Sequence, residues 1–393
     1  MANETADRQL ILAAHAGFVL TGVVTTLLGP LLPILSTAWL LNDAQAGYLF
    51  TAQSIGSLAG VSGSSRLIAR LGLQPSLAVG FGLLAVGIGA LGLGGWAVGV
   101  SAVFLYGIGL GLTIPATTLL VAEANPERRA AALNVLNFTW SLGAVLCAPV
   151  IGTLARRAGV AGPLLGLSVI LGCAGVWLLS CRGVVRRVES DEGAGDQQPA
   201  RLWRRPLLFL IGALVFLYVG VENSIGGWIA SYTLRLNSAT QSFWTIAPAI
   251  FWAAILTGRA VAPFVLRRLT ADKLVLLGLS VAAIGITALL SLQTPAGLLC
   301  GAALAGIGLA PVFPTTLATL SQSFGPHAAR VLALAFALAA LGGATIPWIV
   351  GFTSARSGSL RAGLFVAVLC SVSMIALQLA IIRTLGRTTQ TRM

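Results

Sequence analysis

The sequence predicts an all-α integral membrane protein with twelve transmembrane helices, organised as two parallel, pseudo-symmetric bundles of six helices. Hydrophobic residues make up 57% of the 393 residues and charged residues only 9%, whereas charged residues make up about a quarter of a typical soluble domain. The apolar residues are gathered into long runs. One polar stretch near the middle of the chain divides these runs into two sets of six.

Each apolar run approaches the ~20 residues that an α-helix needs to cross about 30 Å of hydrocarbon. We predict transmembrane segments 1 to 12 at Leu10–Ser36, Ala44–Leu67, Pro75–Trp96, Val100–Glu123, Arg129–Leu154, Ala161–Cys181, Pro206–Tyr232, Phe243–Leu266, Lys273–Leu292, Ala296–Ser321, Ala329–Ser354 and Leu360–Ile382. The acidic polar stretch between segments 6 and 7 is interpreted as a solvated cytoplasmic linker. The predicted domains are therefore an N-terminal bundle at 1–181, the linker at 182–204 and a C-terminal bundle at 205–393.

The basic residues predict the orientation in the membrane. With twelve spans, both termini lie on the same side. If that side is the cytoplasm, nineteen of the 24 Lys and Arg residues fall on the cytoplasmic side and five fall outside. Cytoplasmic loops carry an excess of Lys and Arg, so we predict that both termini are cytoplasmic. We expect a monomer that passes many times through a plasma membrane, the inner membrane in a bacterium.

Other classes of protein are disfavoured by the sequence. The net charge of +13 comes without a dense basic patch containing interleaved aromatic residues, so nucleic acid is not an expected partner. The five cysteines lie in or at the ends of apolar segments without C-x-x-C spacing, so neither disulfides nor a metal cluster is indicated. The sequence contains neither a Walker lysine motif nor H-E-x-x-H. We therefore expect neither an enzyme nor a bound cofactor or metal.

The two halves of the chain are related in sequence. Segment 4 carries Gly107-Ile108-Gly109-Leu110 followed by Pro115, and segment 10 carries Gly306-Ile307-Gly308-Leu309 followed by Pro314, an offset of 199 residues in both places. Parallel repeats of six helices are the architecture of one class of secondary transporters, in which the substrate binds near the bilayer midplane between the repeats. The repeat therefore predicts a transporter.

Motifs in segments 5 and 7 carry a family resemblance. They are Asn125-Pro126-Glu127-Arg128-Arg129-Ala130-Ala131-Ala132-Leu133-Asn134 at the start of segment 5, Gly143 with Pro149 inside it, and Tyr218-Val219-Gly220-Val221-Glu222-Asn223-Ser224-Ile225-Gly226-Gly227-Trp228 in segment 7. Together they resemble the major facilitator superfamily over essentially the whole chain. The string in segment 7 is similar to the fucose–proton symporter branch and its sugar-carrying relatives. The resemblance implies the major facilitator fold and transport of a sugar.

Glu222 is the only carboxylate deep inside an apolar segment. Even the scales with the lowest values give a cost of about 2.5–3.5 kcal/mol for placing a charged side chain at the centre of a membrane helix. Such a residue therefore usually faces a polar cavity and has a functional role. It lies sixteen positions after Pro206, which at 1.5 Å per residue is roughly 24 Å from the cytoplasmic end. We interpret Glu222 as the proton-coupling residue, which exchanges a proton near physiological pH. The alternative is a structural carboxyl that hydrogen-bonds across segments 7 and 11 or pairs with Arg259.

Arg259 and Trp228 are candidates for gating. Arg259 in segment 8 is able to pair with Glu222 in one conformation, although the estimated vertical gap between them is on the order of 10 Å. The favoured interpretation of Arg259 is a long side chain that extends to the membrane interface or caps helix ends. Trp228 lies near the outer end of segment 7, where the aromatic belt is the favoured explanation and an outer gate is the alternative.

A polar stripe on segment 5 is the main candidate for substrate binding. Asn134, Asn137 and Ser141 recur at helical spacing and Trp140 lies beside them, so one helix face carries three polar side chains and an indole. Such a face suits a polyhydroxylated ligand, and hydrogen bonding between helices is the alternative. Further candidates for the lining of a cavity are Thr25, Gln53, Thr117, Asn223 and Trp252.

These observations predict a secondary active transporter. We expect proton-coupled symport of a small polar solute such as a sugar, by rocker-switch alternating access between 1–181 and 205–393. H⁺ is the expected coupling ion and Na⁺ the alternative. Proton-driven efflux of amphipathic compounds, from a cavity lined by aromatic and aliphatic groups, is a second hypothesis. A membrane sensor or scaffold that binds a ligand without moving it is a third.

Overall fold

The computed structural model describes residues 2–181 and 206–390, and in these ranges it is helical without a β-strand. Two compact units are present, one of Met1–Glu189 with Trp244–Ala249 and the other of Ser190–Phe243 with Ile250–Met393. They are called the N-terminal and C-terminal units below. The predicted linker at 182–204 lies outside the described residues.

Fifteen α-helices run through the described residues. In the first half of the chain they are α1 (Ala2–Thr26), α2 (Leu28–Ala38), α3 (Asp43–Leu71), α4 (Leu73–Leu91), α5 (Trp96–Ala124), α6 (Arg129–Cys147), α7 (Thr153–Ala158) and α8 (Ala161–Ser180). In the second half they are α9 (Pro206–Leu236), α10 (Ile246–Val265), α11 (Ala271–Ser291), α12 (Pro295–Leu309), α13 (Val312–Phe324), α14 (Ala328–Ser357) and α15 (Leu360–Gln390). Short 3₁₀ turns at Pro126–Arg128, Gln241–Phe243 and Gly325–His327 and a π segment at Ala148–Gly152 connect some of them.

Each of the twelve predicted segments coincides with one helix or with a consecutive pair. By length and composition, the described residues contain eleven helices that are able to cross a membrane. Segment 2 is absent from that set because α3 carries five serines, two glutamines and two arginines among its 29 residues. The helix itself is formed, and its first turn is closed by a capping box in which Asn42 accepts from the Gln45 backbone and Gln45 accepts from that of Asn42.

Prolines explain where the long predicted segments are interrupted. Segment 1 breaks at Leu27, three residues before Pro30, because a proline cannot donate to the carbonyl four positions earlier and its ring clashes with that carbonyl. Segment 5 contains Pro149 within the π segment. Segment 10 breaks between Leu309 and Val312, at Pro311. Its sequence repeat, α5, continues through Pro115 because the position matching Pro311 is Leu112.

Glycines allow the same pair of helices to pack closely in each unit. A Cβ atom added to Gly143 of α6 would overlap the backbone carbonyl oxygen of Val19 in α1. A Cβ atom added to Gly342 of α14 would overlap that of Phe216 in α9. Close backbone approach at small residues is how membrane helices gain packing contacts without a hydrophobic driving force. The first and fifth segments of each half are therefore held together in the same way.

Candidate functional site

Glu222 forms an ion pair with Arg259 inside the C-terminal unit. Nη2 of Arg259 on α10 donates to Oε1 of Glu222 on α9 at 3.2 Å. The Glu222 side chain is 12% exposed and the Arg259 side chain is 28% exposed. The pair is therefore largely buried and retains some access to solvent. The favoured interpretation of Arg259 was therefore wrong for this structure, since its guanidinium lies against Glu222 and does not extend to the membrane interface.

The packing of α9 against α10 explains why the two charges meet. Gly226 lies one turn after Glu222, and a Cβ atom there would be 2.7 Å from Cζ2 of Trp252. Arg259 lies seven residues after Trp252 on a helix that runs in the opposite direction. Glu222 is four residues from Gly226 and Arg259 is seven residues from Trp252, in the same direction along the two helices. At 1.5 Å per residue, the difference of three residues separates the backbones of Glu222 and Arg259 by roughly 4.5 Å along the helix axes, less than half of the predicted gap. An arginine side chain spans that distance.

A row of three aromatic residues that sequence reasoning missed leads away from the ion pair. The Tyr218 hydroxyl donates to Oε1 of Glu222 at 3.1 Å, from one turn earlier on α9. The Tyr218 ring stacks on Phe313 of α13 with 5.5 Å between centroids, and Phe313 meets Phe336 of α14 edge-on at 6.1 Å. Tyr218 is buried, Phe313 is half-buried and Phe336 is 48% exposed. The spacing of Tyr218 four residues before Glu222 was the one available sequence signal.

Trp228, the predicted belt or gate residue, is part of the protein core. It is fully buried, and its indole nitrogen donates to the Pro347 carbonyl of α14 at 3.1 Å. The aromatic-belt interpretation is therefore wrong for Trp228, because a fully buried ring is not available to the lipid headgroups. Trp252 is also buried, against Gly226 and Phe251. Asn223, next to Glu222, is half-buried.

The N-terminal unit contains its own polar cluster on three helices. Nε2 of Gln53 on α3 donates to the Thr25 carbonyl of α1 at 3.0 Å. The hydroxyl of Tyr106 on α5 donates to Oε1 of the same glutamine, also at 3.0 Å. The Thr25 hydroxyl donates to the Thr21 carbonyl within α1. In this structure Gln53 and Thr25 therefore form hydrogen bonds within the unit, and Tyr106 is a further polar residue that sequence reasoning missed.

The predicted stripe on α6 separates into exposed and buried members. Asn134 and Asn137 are exposed, and neither side chain forms a hydrogen bond with another described residue. Ser141 is buried and donates to the Asn137 carbonyl within the helix, while Trp140 is half-buried. The exposed apolar residues of the helix lie on another face, at Val135, Phe138, Leu142 and Leu146. The two asparagine side chains are therefore available to a ligand.

Two threonines occupy matching positions in the sequence repeat. Thr117 on α5 is buried, as predicted for a residue inside the bundle. Its repeat partner, Thr316 on α13, is also buried, and its hydroxyl has no hydrogen-bond partner among the described residues.

Within residues 2–181 and 206–390, no group of three or more His, Cys, Asp and Glu residues is placed to hold a metal ion.

The fold and the buried charges define a class of protein. Long apolar helices in two six-segment halves, with an ion pair and polar side chains inside the spanning region, are the features of a multi-pass membrane transporter. The sequence profile described as Major Facilitator Superfamily matches residues 14–347. The chain belongs to this superfamily, whose members are transporters and not enzymes, and the predicted fold class is confirmed.

Individual relatives agree with this assignment. The chain is 24% identical over 357 residues to the glucose/mannose transporter GlcP of Bacillus subtilis (strain 168), covering 88% of each chain. It is 24% identical over 359 residues to a glucose/galactose transporter of Brucella abortus biovar 1 (strain 9-941), covering 85% of each chain. Among solved structures, a bacterial homologue of the human lysosomal transporter Spinster matches with a TM-score of 0.79 and 14% identity, covering 96% of this chain and 97% of that chain. Membership of the fucose–proton symporter branch stays a prediction.

Proposed function

We propose that the protein carries a sugar or a closely related polar solute across the membrane together with a proton. The observation that carries this proposal is the carboxyl group of Glu222, which lies within a membrane-spanning helix, is held by Arg259 at 3.2 Å and is 12% exposed. A carboxylate in that setting changes its charge by taking up a proton, and intramembrane acids commonly serve proton relays. Glu222 is accordingly the proposed proton carrier.

Two further features support a sugar as the substrate class. Asn134 and Asn137 offer amide donors and acceptors that no described side chain occupies, and sugar hydroxyls need both kinds of partner. The relatives named as glucose/mannose and glucose/galactose transporters match the chain over 88% and 85% of its length. Transport of a sugar is the function that both features favour.

The remaining parts of the proposal concern orientation and mechanism. We place both termini in the cytoplasm because of the asymmetry of the basic residues. H⁺ is the proposed coupling ion in preference to Na⁺, since a single carboxylate already paired with an arginine offers few of the oxygen ligands that a metal cation requires. The proposed mechanism is alternating access of the rocker-switch kind by a monomer.

Substitution of Glu222 by Gln tests the proton-coupling role. Gln keeps the shape of the side chain and cannot cycle a proton. In proteoliposomes we expect Glu222→Gln to abolish accumulation driven by a pH gradient and to preserve substrate exchange between compartments of equal pH. Exchange is preserved because it does not require the return of an unloaded, deprotonated carrier. If the variant still moves protons with the substrate at the wild-type ratio, Glu222 is not the coupling site.

The aromatic residues favour a second candidate function, proton-driven efflux of amphipathic compounds. Phe336 is 48% exposed and contacts Phe313, which stacks on Tyr218, and an exposed aromatic surface suits an apolar ligand. Counterflow against a panel of sugars, amino acids and dyes distinguishes the two functions. Uptake of sugars alone supports symport, and broad exchange of dyes supports efflux.

A further inference from the structure

The ion pair between Glu222 and Arg259 leaves the guanidinium group only partly used. One hydrogen bond joins the two side chains, from Nη2 of Arg259 to Oε1 of Glu222. Nε of Arg259 is buried and has no hydrogen-bond partner among the described residues. A guanidinium group commonly binds a carboxylate through two parallel N–H···O bonds. Arg259 therefore has a donor, Nε, that no acceptor uses in this conformation.

Protonation of Glu222 would leave Arg259 without a compensating charge. The guanidinium group stays protonated at any physiological pH, and a largely buried cation, 28% exposed here, is destabilised when its partner loses its charge. The one other acid in residues 206–390 is Asp272, in the first turn of α11. Tyr218 donates to Glu222 and is neutral. The described part of the C-terminal unit thus offers no substitute for the Glu222 charge.

The helices packed against α9 do not alter this charge balance. Neither α12 nor α13 contains a charged residue. The charged residues of α14 are Arg330 and Arg356, near its two ends, and those of α15 include Arg361 in its first turn. All are cations, so they add no negative charge at Arg259. Among the described residues of the C-terminal unit, none other than Glu222 supplies a negative charge at Arg259, and a carboxylate on the ligand would supply one.

We infer that Arg259 binds a carboxylate on the substrate when Glu222 is protonated, so that the substrate is a sugar acid. The inference rests on the proposed proton-coupled transport and names the class of sugar. Arg259 then exchanges one carboxylate partner for another, and the charge at the site is zero with and without substrate. A phosphate monoester, which carries nearly two negative charges at neutral pH, would overcompensate the single guanidinium charge. Transport of one sugar acid with one proton moves no net charge across the membrane.

Glucuronate and glucose form a matched pair of probes, because they differ only in a carboxylate or a hydroxymethyl group at one carbon. In proteoliposomes that contain the wild-type protein, we expect counterflow of glucuronate and at least about thirtyfold weaker counterflow of glucose, the lower bound of the ratio expected when a buried charge is left unpaired. We expect electrical recordings on supported membranes to show no transport current with glucuronate. Proton-linked, current-generating transport of glucose in preference to glucuronate would overturn the inference and leave the proposed function standing.

Variants of the pair test the exchange of partners directly. Glu222→Gln imitates the protonated state, so at pH 8 we expect it to bind glucuronate at least about tenfold more tightly than the wild type does. Arg259→Gln should lose glucuronate binding. Arg259→Lys keeps the positive charge but lacks the planar guanidinium group that forms two parallel hydrogen bonds, and it should retain part of the binding. The double variant Glu222→Gln with Arg259→Gln removes both charges and controls for folding through its thermal unfolding. If Glu222→Gln does not bind glucuronate at pH 8, the inference is wrong, whereas retained proton movement in that variant would contradict the proposed function instead.

Discussion

Asn137 and Phe336 occupy equivalent positions in the two halves of the chain. Each lies six residues before the glycine, Gly143 or Gly342, that packs against the first segment of its own half. Both side chains are exposed. One half therefore presents an amide, and the other an aromatic ring, at the same place in the repeat. The two halves have kept their packing and have diverged in the chemistry of their exposed faces.

Substitution of Asn137 tests whether the amide binds substrate. We expect Asn137→Ala to weaken substrate binding by ~1–3 kcal/mol, the cost of leaving a buried ligand hydroxyl without its partner. Thermal stability without ligand should change little, because the side chain is exposed and forms no hydrogen bond with the described residues. Leu142→Ala, on the apolar face of the same helix, is the control and should leave affinity unchanged. A large loss of ligand-free stability with unchanged affinity would favour a structural role.

Gly342 is expected to be intolerant of a side chain. Gly342→Ala places a Cβ atom against the backbone carbonyl of Phe216, so α9 and α14 have to separate. We expect a loss of about 1–3 kcal/mol in stability, typical of overpacking, measured by thermal unfolding in detergent. Gly166→Ala is the matched control, since a Cβ atom there meets nothing within 4 Å, and a helix gains up to about 1 kcal/mol from Gly to Ala. Equal effects at the two positions would contradict the packing argument.

Trp228 is expected to contribute to stability and not to gating. Trp228→Phe removes the indole donor to the Pro347 carbonyl, which should lower the unfolding free energy by about 0.5–1.5 kcal/mol, the net contribution of one hydrogen bond, because that carbonyl keeps its backbone partner within α14. Substrate affinity and the rate of exchange should stay close to wild type. A gate would give the opposite pattern, with faster exchange and unchanged stability.

Single cysteines test the membrane orientation. In a background without the five native cysteines, Ser190→Cys should react with a membrane-impermeant thiol reagent only from the cytoplasmic side. Ser359→Cys should react only from outside. Gly358 is unsuitable for the outer position because its φ of +67° disfavours a side chain. Labelling of both cysteines in intact cells would show that the predicted topology is wrong.

The fold was predictable because its signal is local. An apolar run of about 20 residues has few alternatives to a membrane helix, so composition and segment length alone indicated twelve segments. Glu222 was found for the same reason, as a single acid in an apolar run. The interruption at Pro311 was not predicted, although the proline is visible in the sequence. The repeat did not indicate it, because the matching position in segment 4 is a leucine, Leu112.

The surroundings of Glu222 depended on tertiary packing and were predicted less well. The height of Arg259 was estimated from the ends of the segments, whereas the contact between Gly226 and Trp252 sets it. Phe313 and Phe336 are ordinary aromatic residues in apolar segments, so nothing in the sequence distinguished them. Trp228 was assigned to the membrane surface from its position along the segment, and only its contacts place it in the core.

The interruption of segment 10 at Pro311 breaks the symmetry between the two halves. Segment 4 is one continuous helix from Trp96 to Ala124. Its counterpart, segment 10, consists of two shorter helices, Pro295–Leu309 and Val312–Phe324, and Phe313 lies just after the break between them. Prolines are a common cause of sharp kinks, and the helix is interrupted at Pro311 in segment 10 but continues through Pro115 in segment 4. The repeat has thus duplicated the order of the helices without duplicating their continuity, and the interrupted copy carries Phe313, the ring that stacks on Tyr218.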